Sequence, residues 1–94
     1  MAVSEALSSH IAGLISSHRV VLFMKGTRLS PTCGFSAQVV NTLDLYLDDY
    51  ATVDVVADPA LREAIKEHSA WPTFPQLYVG GEFRGGAEIV AAMD

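Results

Sequence analysis

The segment QLYVGGEFR, at residues 76–84, sets the frame of the fold. Its two flanks, residues 76–79 and 82–84, read as short β-strands, and Gly80 and Gly81 separate them. Two adjacent glycines are typical of a tight hairpin turn, because glycine adopts the positive φ angles that such turns require. The segment therefore predicts two antiparallel strands that are neighbours in a sheet.

Two further strands are predicted upstream of this hairpin. The run VVLFM, at residues 20–24, is continuously apolar and β-rich, which is typical of a strand buried on both faces. Lys25-Gly26-Thr27 ends it. The run TVDVV, at residues 52–56, predicts the second strand.

Helices are predicted around these strands. Apolar residues recur at steps of three and four over residues 4–18, with Ser4 as the N-cap, and again beyond Cys33 to residue 47. Asp58-Pro59 places an N-cap before a proline at the first position of a third helix, which ends at about His68. Gly85-Gly86 opens a last helix.

The resulting order, αβαβαββα, indicates an α/β fold. Strands separated by helices pair in parallel, whereas strands joined by a tight turn pair antiparallel. We therefore expect a four-stranded mixed sheet, parallel in its first half and ending in an antiparallel hairpin, with helices on both faces.

Length and charge restrict the possible functions. The chain has 94 residues, half of them apolar, so we expect residues 1–94 to form one domain with one site. Its formal net charge is -5 and its pI is near 4.9. Because nucleic-acid binders usually present a basic surface to the phosphates, this charge argues against a nucleic-acid partner.

The N-terminal sequence and the cysteine content indicate a compartment. The first residues, MAVSE, lack the basic and then apolar pattern of a secretory signal, and no apolar run approaches the roughly 18 residues of a membrane span. Cys33 is the only cysteine, which excludes an internal disulfide. We therefore expect a soluble, cytoplasmic protein with no membrane contact, in a reducing compartment.

Cys33 is the main candidate for chemistry. It lies where a loop turns into a helix, and the free N–H groups at a helix start favour the thiolate over the thiol. Lys25 adds a positive charge. Taken by itself, a single cysteine at such a place is more often a small buried apolar residue than a nucleophile.

Ser36 narrows the chemistry that is open to Cys33. It stands where a C-x-x-C redox motif has its second cysteine, so no internal thiol can resolve a mixed disulfide. Two alternatives follow: an external thiol such as glutathione completes an exchange reaction, or Cys33 is a metal ligand.

Four segments resemble those of the monothiol, or CGFS-type, glutaredoxins, in the same order and at the same spacing. They are Lys25-Gly26-Thr27, Cys33-Gly34-Phe35-Ser36, Trp71-Pro72-Thr73-Phe74-Pro75-Gln76 and Gly81-Glu82-Phe83-x-Gly85-Gly86. The resemblance covers nearly the whole chain. It implies a thioredoxin fold, glutathione binding and a [2Fe-2S] cluster shared by two protomers. Because such a cluster takes four thiolates and this chain has one, two chains and two glutathiones complete the set.

The same resemblance implies roles for particular residues. Cys33 is both the reactive thiol and the cluster ligand. The residues expected to bind glutathione are Lys25, Arg62, Thr73, Phe74, Pro75, Gly86, Ala87 and Glu88. Lys25 and Arg62 lie near the glycyl carboxylate, the helix start at residues 86–88 lies near the γ-glutamyl group, and Gln76 is a lesser candidate.

The resemblance also implies a cis peptide bond before Pro75, which exposes the Phe74 main chain to the cysteinyl part of glutathione. Simpler interpretations remain open for three of these positions. Arg62 is then a solvated helix charge, Glu88 a favourable acid in a first helical turn, and Pro75 a trans proline at the start of an edge strand.

The sequence departs from the family pattern in three places. Ala87-Glu88 replaces a small polar residue or cysteine followed by aspartate, and Arg28-Leu29-Ser30 replaces a stretch that usually carries an acid and an aromatic. The chain also ends at Asp94, earlier in the last helix than its relatives do. We expect these differences to alter glutathione affinity, cluster lability or partner choice, and to leave the last helix frayed.

Among the other residues, Phe23, Trp71, Tyr78 and Phe83 are expected in the core or on a sheet face rather than as cofactor platforms. Phe35 is a candidate to shield the thiolate. The three histidines have no metal-binding spacing.

The resulting prediction is an iron–sulfur carrier rather than primarily an enzyme. It forms a cluster-bridged homodimer, accepts the cluster from an assembly scaffold and passes it to apo iron–sulfur proteins, and a BolA-like protein is a possible second partner. Two alternatives remain: a glutathione-dependent thiol-disulfide oxidoreductase that removes glutathione from proteins, and a thioredoxin-fold interaction module without chemistry. The form without a cluster is predicted to be a monomer.

Overall fold

The computed structural model describes residues 5–86, which form three helices and four strands. They are α1 (Glu5–Ser17), β1 (Val20–Met24), α2 (Gly34–Tyr46), β2 (Ala51–Asp54), α3 (Pro59–Ser69), β3 (Gln76–Val79) and β4 (Glu82–Gly85). The predicted order is therefore confirmed as far as the second strand of the hairpin. The last predicted helix and the Ser4 cap lie outside the described residues.

The four strands form one mixed sheet in the order β2-β1-β3-β4. β1 pairs in parallel with β2 and antiparallel with β3, and β3 pairs antiparallel with β4 across Gly80 and Gly81, whose φ angles are 60° and 82°. This confirms both the parallel first half and the terminal hairpin.

The core has two parts, one on each face of the sheet. Alternate side chains of β1 point to opposite faces because a strand has a period of two residues. Val21 and Phe23 pack in a cluster with residues of α1 and α3, whereas Leu22 and Met24 pack with residues of α2. β1 is thus buried on both faces, as its continuous apolar run predicts.

The second strand was predicted at residues 52–56 but is observed at Ala51–Asp54. The chain turns away after Asp54, because the Asp54 side chain accepts a hydrogen bond from the N–H of Val56, at 2.9 Å. Such a local bond to the backbone two residues ahead forms an Asx turn and competes with continued strand pairing.

The aromatic residues are only partly where the sequence placed them. Phe23 and Tyr78 are buried in the core, and Phe83 is half-buried against Tyr78, with ring centroids 5.4 Å apart. Trp71 is 41% exposed, because it lies in the irregular segment between α3 and β3 and not on a strand. Within residues 5–86, no helix has the length and apolar character that a membrane span needs.

Candidate functional site

A groove of about 480 Å³ lies where the loop after β1 meets the segment before β3. The pairing of the two strands brings these parts together. Phe23 lies opposite Gln76 in the antiparallel register, so the chain that leaves β1 passes beside the chain that enters β3. Apart from the lesser candidate Gln76, every described residue of the predicted site lines the groove: Lys25, Cys33, Arg62, Thr73, Phe74, Pro75 and Gly86. Ala87 and Glu88 lie outside the described residues.

Cys33 is the N-cap residue of α2 and is half-buried at the edge of the groove. Hydrogen bonding from the backbone N–H of Ser36 lowers the pKa of the Cys33 thiol, and this is the largest influence. Burial opposes it, while the N–H of Phe35 and the charge of Lys25 lower the pKa further. Each favourable contact stabilises negative charge on sulfur, so the site favours the thiolate.

Gly26 shapes the loop that delivers Cys33. Its φ angle is +88°, and a Cβ atom there would lie 2.6 Å from the Ser30 carbonyl oxygen and from the Thr32 nitrogen. The close approach lets the Thr32 N–H donate to the Lys25 carbonyl at 3.0 Å. The loop therefore doubles back tightly and starts α2 beside the end of β1.

Ser36, one turn into α2, is fully buried. Its hydroxyl oxygen accepts a hydrogen bond from the Lys25 N–H at 3.1 Å, and a weaker contact with this side chain also lowers the pKa of Cys33. At this position a second cysteine would form the dithiol pair. Here it is a hydroxyl that ties β1 to α2 and has no redox chemistry.

Asp54, which was not among the predicted site residues, supports the same loop from β2. Its Oδ1 atom accepts hydrogen bonds from the N–H groups of Gly26 and Val56, at 3.0 and 2.9 Å. It thereby fixes the end of β1, where Lys25 stands, relative to the end of β2. An aspartate at the end of a strand before a turn was the available signal.

The opposite wall of the groove is the segment from Trp71 to Pro75. The Phe74–Pro75 peptide bond is cis, as the family resemblance implied, and the Phe74 side chain is buried. Trp71, Pro72 and Thr73 are exposed to the groove. Trp71 was expected in the core or on a sheet face, but here it contributes to the wall and packs on Phe83, with centroids 5.8 Å apart.

Gly86 closes one end of this wall. A Cβ atom at Gly86 would lie 3.2 Å from the Pro75 carbonyl oxygen and 3.7 Å from Nε1 of Trp71. A side chain at this position would be in tight contact with the Pro75 carbonyl, so the glycine allows the chain to pass close to the wall.

Lys25 and Arg62 supply positive charge to the groove of a chain whose net charge is -5. Neither side chain forms a salt bridge within residues 5–86, in contrast to Arg28, Lys66 and Arg84. Two cations without a salt-bridge partner favour an anionic ligand such as a carboxylate.

Among the residues that the structure describes, no group of three or more histidine, cysteine or acidic side chains could hold a metal ion. Phe35 is 62% exposed and lines the groove close to Cys33 in sequence, and its role in shielding the thiolate stays a prediction.

Comparison with known proteins identifies the family. The family model described as Glutaredoxin matches residues 20–84. The chain is 55% identical over 76 residues to the rice protein "Monothiol glutaredoxin-S7, chloroplastic", covering 81% of this chain and 45% of that protein. It is 49% identical over 82 residues to "Uncharacterized monothiol glutaredoxin ycf64-like" of Synechocystis, covering 87% of this chain and 77% of that protein.

A solved structure agrees with the sequence matches. The solution structure of reduced poplar apo GrxS14 superposes with a TM-score of 0.82 at 46% identity, over 98% of this chain and 84% of that one. The chain thus spans less than half of the rice relative but most of the poplar domain. The predicted resemblance is confirmed: this chain has the thioredoxin fold and belongs to the glutaredoxin family, among its monothiol members.

Proposed function

We propose that this protein binds glutathione in the groove and, with glutathione as co-ligand, carries a [2Fe-2S] cluster for the maturation of iron–sulfur proteins. The observation that carries the proposal is the setting of Cys33: a single thiol with a lowered pKa, at the edge of a groove lined by two cations that form no salt bridge with any of residues 5–86. A thiolate is the form that binds iron, and the cations match the negative charge of glutathione. We further propose that residues 1–94 act as one domain.

The groove suits a tripeptide in size and charge. Its volume of about 480 Å³ falls within the roughly 300–1,000 Å³ usual for small-molecule sites. In the proposed complex, Lys25 and Arg62 bind the glycyl carboxylate and the Phe74 main chain pairs with the cysteinyl unit, alongside Thr73 and Pro75. The N–H groups at Gly86 and Ala87 bind the γ-glutamyl carboxylate, and Glu88 binds its ammonium group.

The proposed cluster ligands follow from the thiol count. A [2Fe-2S] cluster held by thiolates takes four of them, and each chain supplies only the Cys33 thiolate. Two chains, each with one bound glutathione, complete the set and form a homodimer bridged by the cluster. Because a glutathione ligand exchanges with thiols in solution, such a cluster is suited to transfer rather than storage.

The proposed partners are those that transfer requires. An assembly scaffold supplies the cluster, apo iron–sulfur proteins accept it, and a BolA-like protein replaces the second protomer in some complexes. The cytoplasmic location stays a prediction, because the rice relative is named as chloroplastic. Fractionation of the source cells tests it.

Anaerobic reconstitution tests the ligand set. The wild-type protein and the Cys33→Ser variant are incubated with iron, sulfide and a reducing thiol, each with and without glutathione. We expect the visible absorption of a [2Fe-2S] cluster only for wild type with glutathione. The same absorption without glutathione, or in the variant, would contradict the proposed ligands.

A second candidate function rests on the same lowered pKa. In a glutathione-dependent oxidoreductase, the Cys33 thiolate attacks the glutathionyl sulfur of a modified protein and releases the protein thiolate. A second glutathione thiolate then attacks the new mixed disulfide, which yields oxidised glutathione and regenerates Cys33. Electrons and protons balance, since one disulfide is reduced and another is formed.

Steady-state turnover separates the two functions. Rapid reduction of a small glutathione mixed disulfide, together with poor cluster binding, would favour the oxidoreductase. Slow turnover with a stable reconstituted cluster would favour the carrier. Loss of both activities, with no glutathione binding, would leave only an interaction module.

A further inference from the structure

Gln76 is a fully buried polar residue that opens β3 directly behind the groove. Its Nε2 atom donates hydrogen bonds to the main-chain carbonyls of Trp71 and Thr73, at 3.0 and 3.2 Å. Its Oε1 atom accepts one from the Tyr78 hydroxyl at 3.4 Å. The whole polar end of the side chain is therefore used inside the protein.

This burial excludes the minor role that the sequence suggested for Gln76. With none of its surface exposed, the side chain cannot touch a ligand in the groove, and it is not among the residues that line the groove. Its bonds instead reach the backbone of residues that do line the groove, Trp71 and Thr73.

The chemistry of a neutral carboxamide matches this position. The two carbonyls require two donors, and an amide NH2 group has one N–H for each, while its oxygen is left for the tyrosine. A carboxylate at the same place would present only acceptors to the two carbonyls. An apolar side chain would remove the Nε2 donor from both, and would leave the Trp71 carbonyl with only the 3.5 Å contact from the Ser69 hydroxyl.

Side-chain hydrogen bonds hold the main chain of the wall. Residues 71–75 belong to no helix or strand, and their main chain therefore lacks the regular bonds of a ladder. The Trp71 N–H donates to the Ser69 hydroxyl at 3.1 Å. The Ser69 hydroxyl also donates to the Trp71 carbonyl at 3.5 Å, whereas the Gln76 amide gives the shorter bond to that carbonyl and the side-chain bond to the Thr73 carbonyl, at 3.0 and 3.2 Å.

We propose that Gln76 is a positioning residue for glutathione: its buried carboxamide holds the Trp71–Thr73 main chain in the shape that places Thr73 and the Phe74 backbone across the groove from Cys33. The inference rests on the proposed glutathione site and adds a residue that supports the site without touching the ligand. Because it acts through the wall, its loss weakens glutathione binding more than it perturbs the rest of the fold.

The test compares substitutions at the only two glutamines of the chain. Gln76→Met keeps the length of the side chain but lacks its N–H donors. Gln76→Glu replaces the donating NH2 group with an accepting carboxylate oxygen. Gln38→Met and Gln38→Glu make the same changes on the exposed surface of α2 and are the controls. Reduced glutathione is titrated anaerobically into each protein and followed by NMR, at a temperature where circular dichroism shows each variant to be folded.

Trp71 is the only tryptophan, so its fluorescence reports on the wall directly. We expect both Gln76 variants to weaken glutathione binding by about tenfold or more, since a buried polar partner is lost, and to shift the Trp71 emission to the red. We expect the Gln38 variants to bind within about twofold of wild type. If Gln76→Glu does not fold, Gln76→Met alone decides the result.

The possible failures are distinguishable. Wild-type affinity in Gln76→Met, whatever its emission, would overturn the positioning role and leave the glutathione site standing. No binding of glutathione by the wild-type protein would overturn the proposed function and this inference with it.

Discussion

The pKa of Cys33 is lowered mainly by the helix that begins beside it. The N–H groups of Ser36 and Phe35 stabilise the thiolate as any helix N-terminus would, whereas the charge of Lys25 is a smaller influence on the pKa. The pKa of the thiol is therefore lowered mainly by the backbone of α2, and substitution of a nearby side chain should remove only part of this effect.

Replacement of Lys25 by alanine is expected to raise the pKa of Cys33 modestly, because one of several stabilising influences is removed. The thiolate fraction at neutral pH then falls. The pH profile of alkylation by iodoacetamide measures this shift. Lys66→Ala, which removes a lysine paired with Glu63 on α3, is the control and should leave the profile unchanged. A lower pKa in Lys25→Ala would contradict this description of the site.

Substitution by alanine is expected to change the free energy of unfolding in opposite directions at Gly26 and at Gly13. Gly26→Ala forces a side chain into positive φ and against backbone atoms at 2.6 Å, so we expect a loss of about 2–4 kcal/mol in the free energy of unfolding. Gly13 lies in α1 with nothing within 4 Å of an added Cβ, so Gly13→Ala should stabilise by about 0.5–1 kcal/mol. Denaturant unfolding measures both. Equal effects would show that the loop tolerates a side chain.

The sequence predicted most of the residues that line the groove, but it did not predict the hydrogen bonds that hold those residues in place. Motif spacing identified Cys33 and its neighbours because the resemblance carries their positions. The supporting bonds of Asp54 and Gln76 were missed, since they join residues to backbone groups whose positions depend on the fold.

The loop between β1 and α2 is anchored to the far end of the helix through Arg28. The Arg28 guanidinium lies 2.9 Å from Asp44, donates to the Asp48 carbonyl at 3.3 Å and stacks on the Tyr50 ring at 4.2 Å from its centroid. The Tyr50 hydroxyl donates to the same carboxylate at 2.9 Å. Leu29, at the tip of this loop, is left 97% exposed.

Substitutions in this cluster should shift the pKa of Tyr50 in opposite directions. Burial is the main cause that raises it to about 12; Asp44 raises it further, and Arg28 lowers it. We therefore expect Asp44→Asn to lower the pKa while leaving it above the ordinary value of about 10, and Arg28→Ala to raise it. Ultraviolet titration of tyrosinate measures this, with Tyr50→Phe identifying the signal and Arg84→Ala as the surface-arginine control. Shifts of the same sign would contradict the arrangement.

The raised pKa also sets a pH dependence of stability. Between pH 10 and about 12 the folded state keeps the Tyr50 proton that the unfolded state loses. The contribution of Tyr50 to stability is therefore complete below pH 10 and is lost as pH rises through about 12.

Elements with local signals were predicted well, and those set by distant contacts were not. The hairpin turn, the Asp58 cap of α3 and the buried strand β1 follow from a few adjacent residues. The predicted end of β2 was two residues too late, because the Asp54 side chain accepts a hydrogen bond from the Val56 N–H and the chain turns there. The hydrogen bonds of Arg28 join positions 16 or more residues apart, and no local pattern indicates them.

For the molecule as a whole, the antiparallel pairing of β1 and β3 creates the site. The end of β1 carries Lys25 and leads to Cys33, while the segment before β3 carries Phe74 and Pro75. α3 adds Arg62 from one face of the sheet. The order of helices and strands predicted this fold class, but the position of β1 between β2 and β3 became evident only in the structure.

A single thiol per chain makes the proposed cluster a property of an assembly. Each chain supplies one of the four thiolates that a [2Fe-2S] cluster takes, so a second copy and two glutathiones must be present together. Without the cluster nothing demands a dimer, and we expect a monomer. Cluster assembly and dimer formation should therefore occur as one event.

Native mass spectrometry of the protein reconstituted anaerobically with glutathione measures this composition directly. We expect one main cluster-bearing species whose mass equals two chains, one [2Fe-2S] unit and two glutathiones, and we expect Cys33→Ser to yield only the bare monomer. A cluster-bearing species that contains a single chain, or two chains without glutathione, would overturn the proposed ligand set.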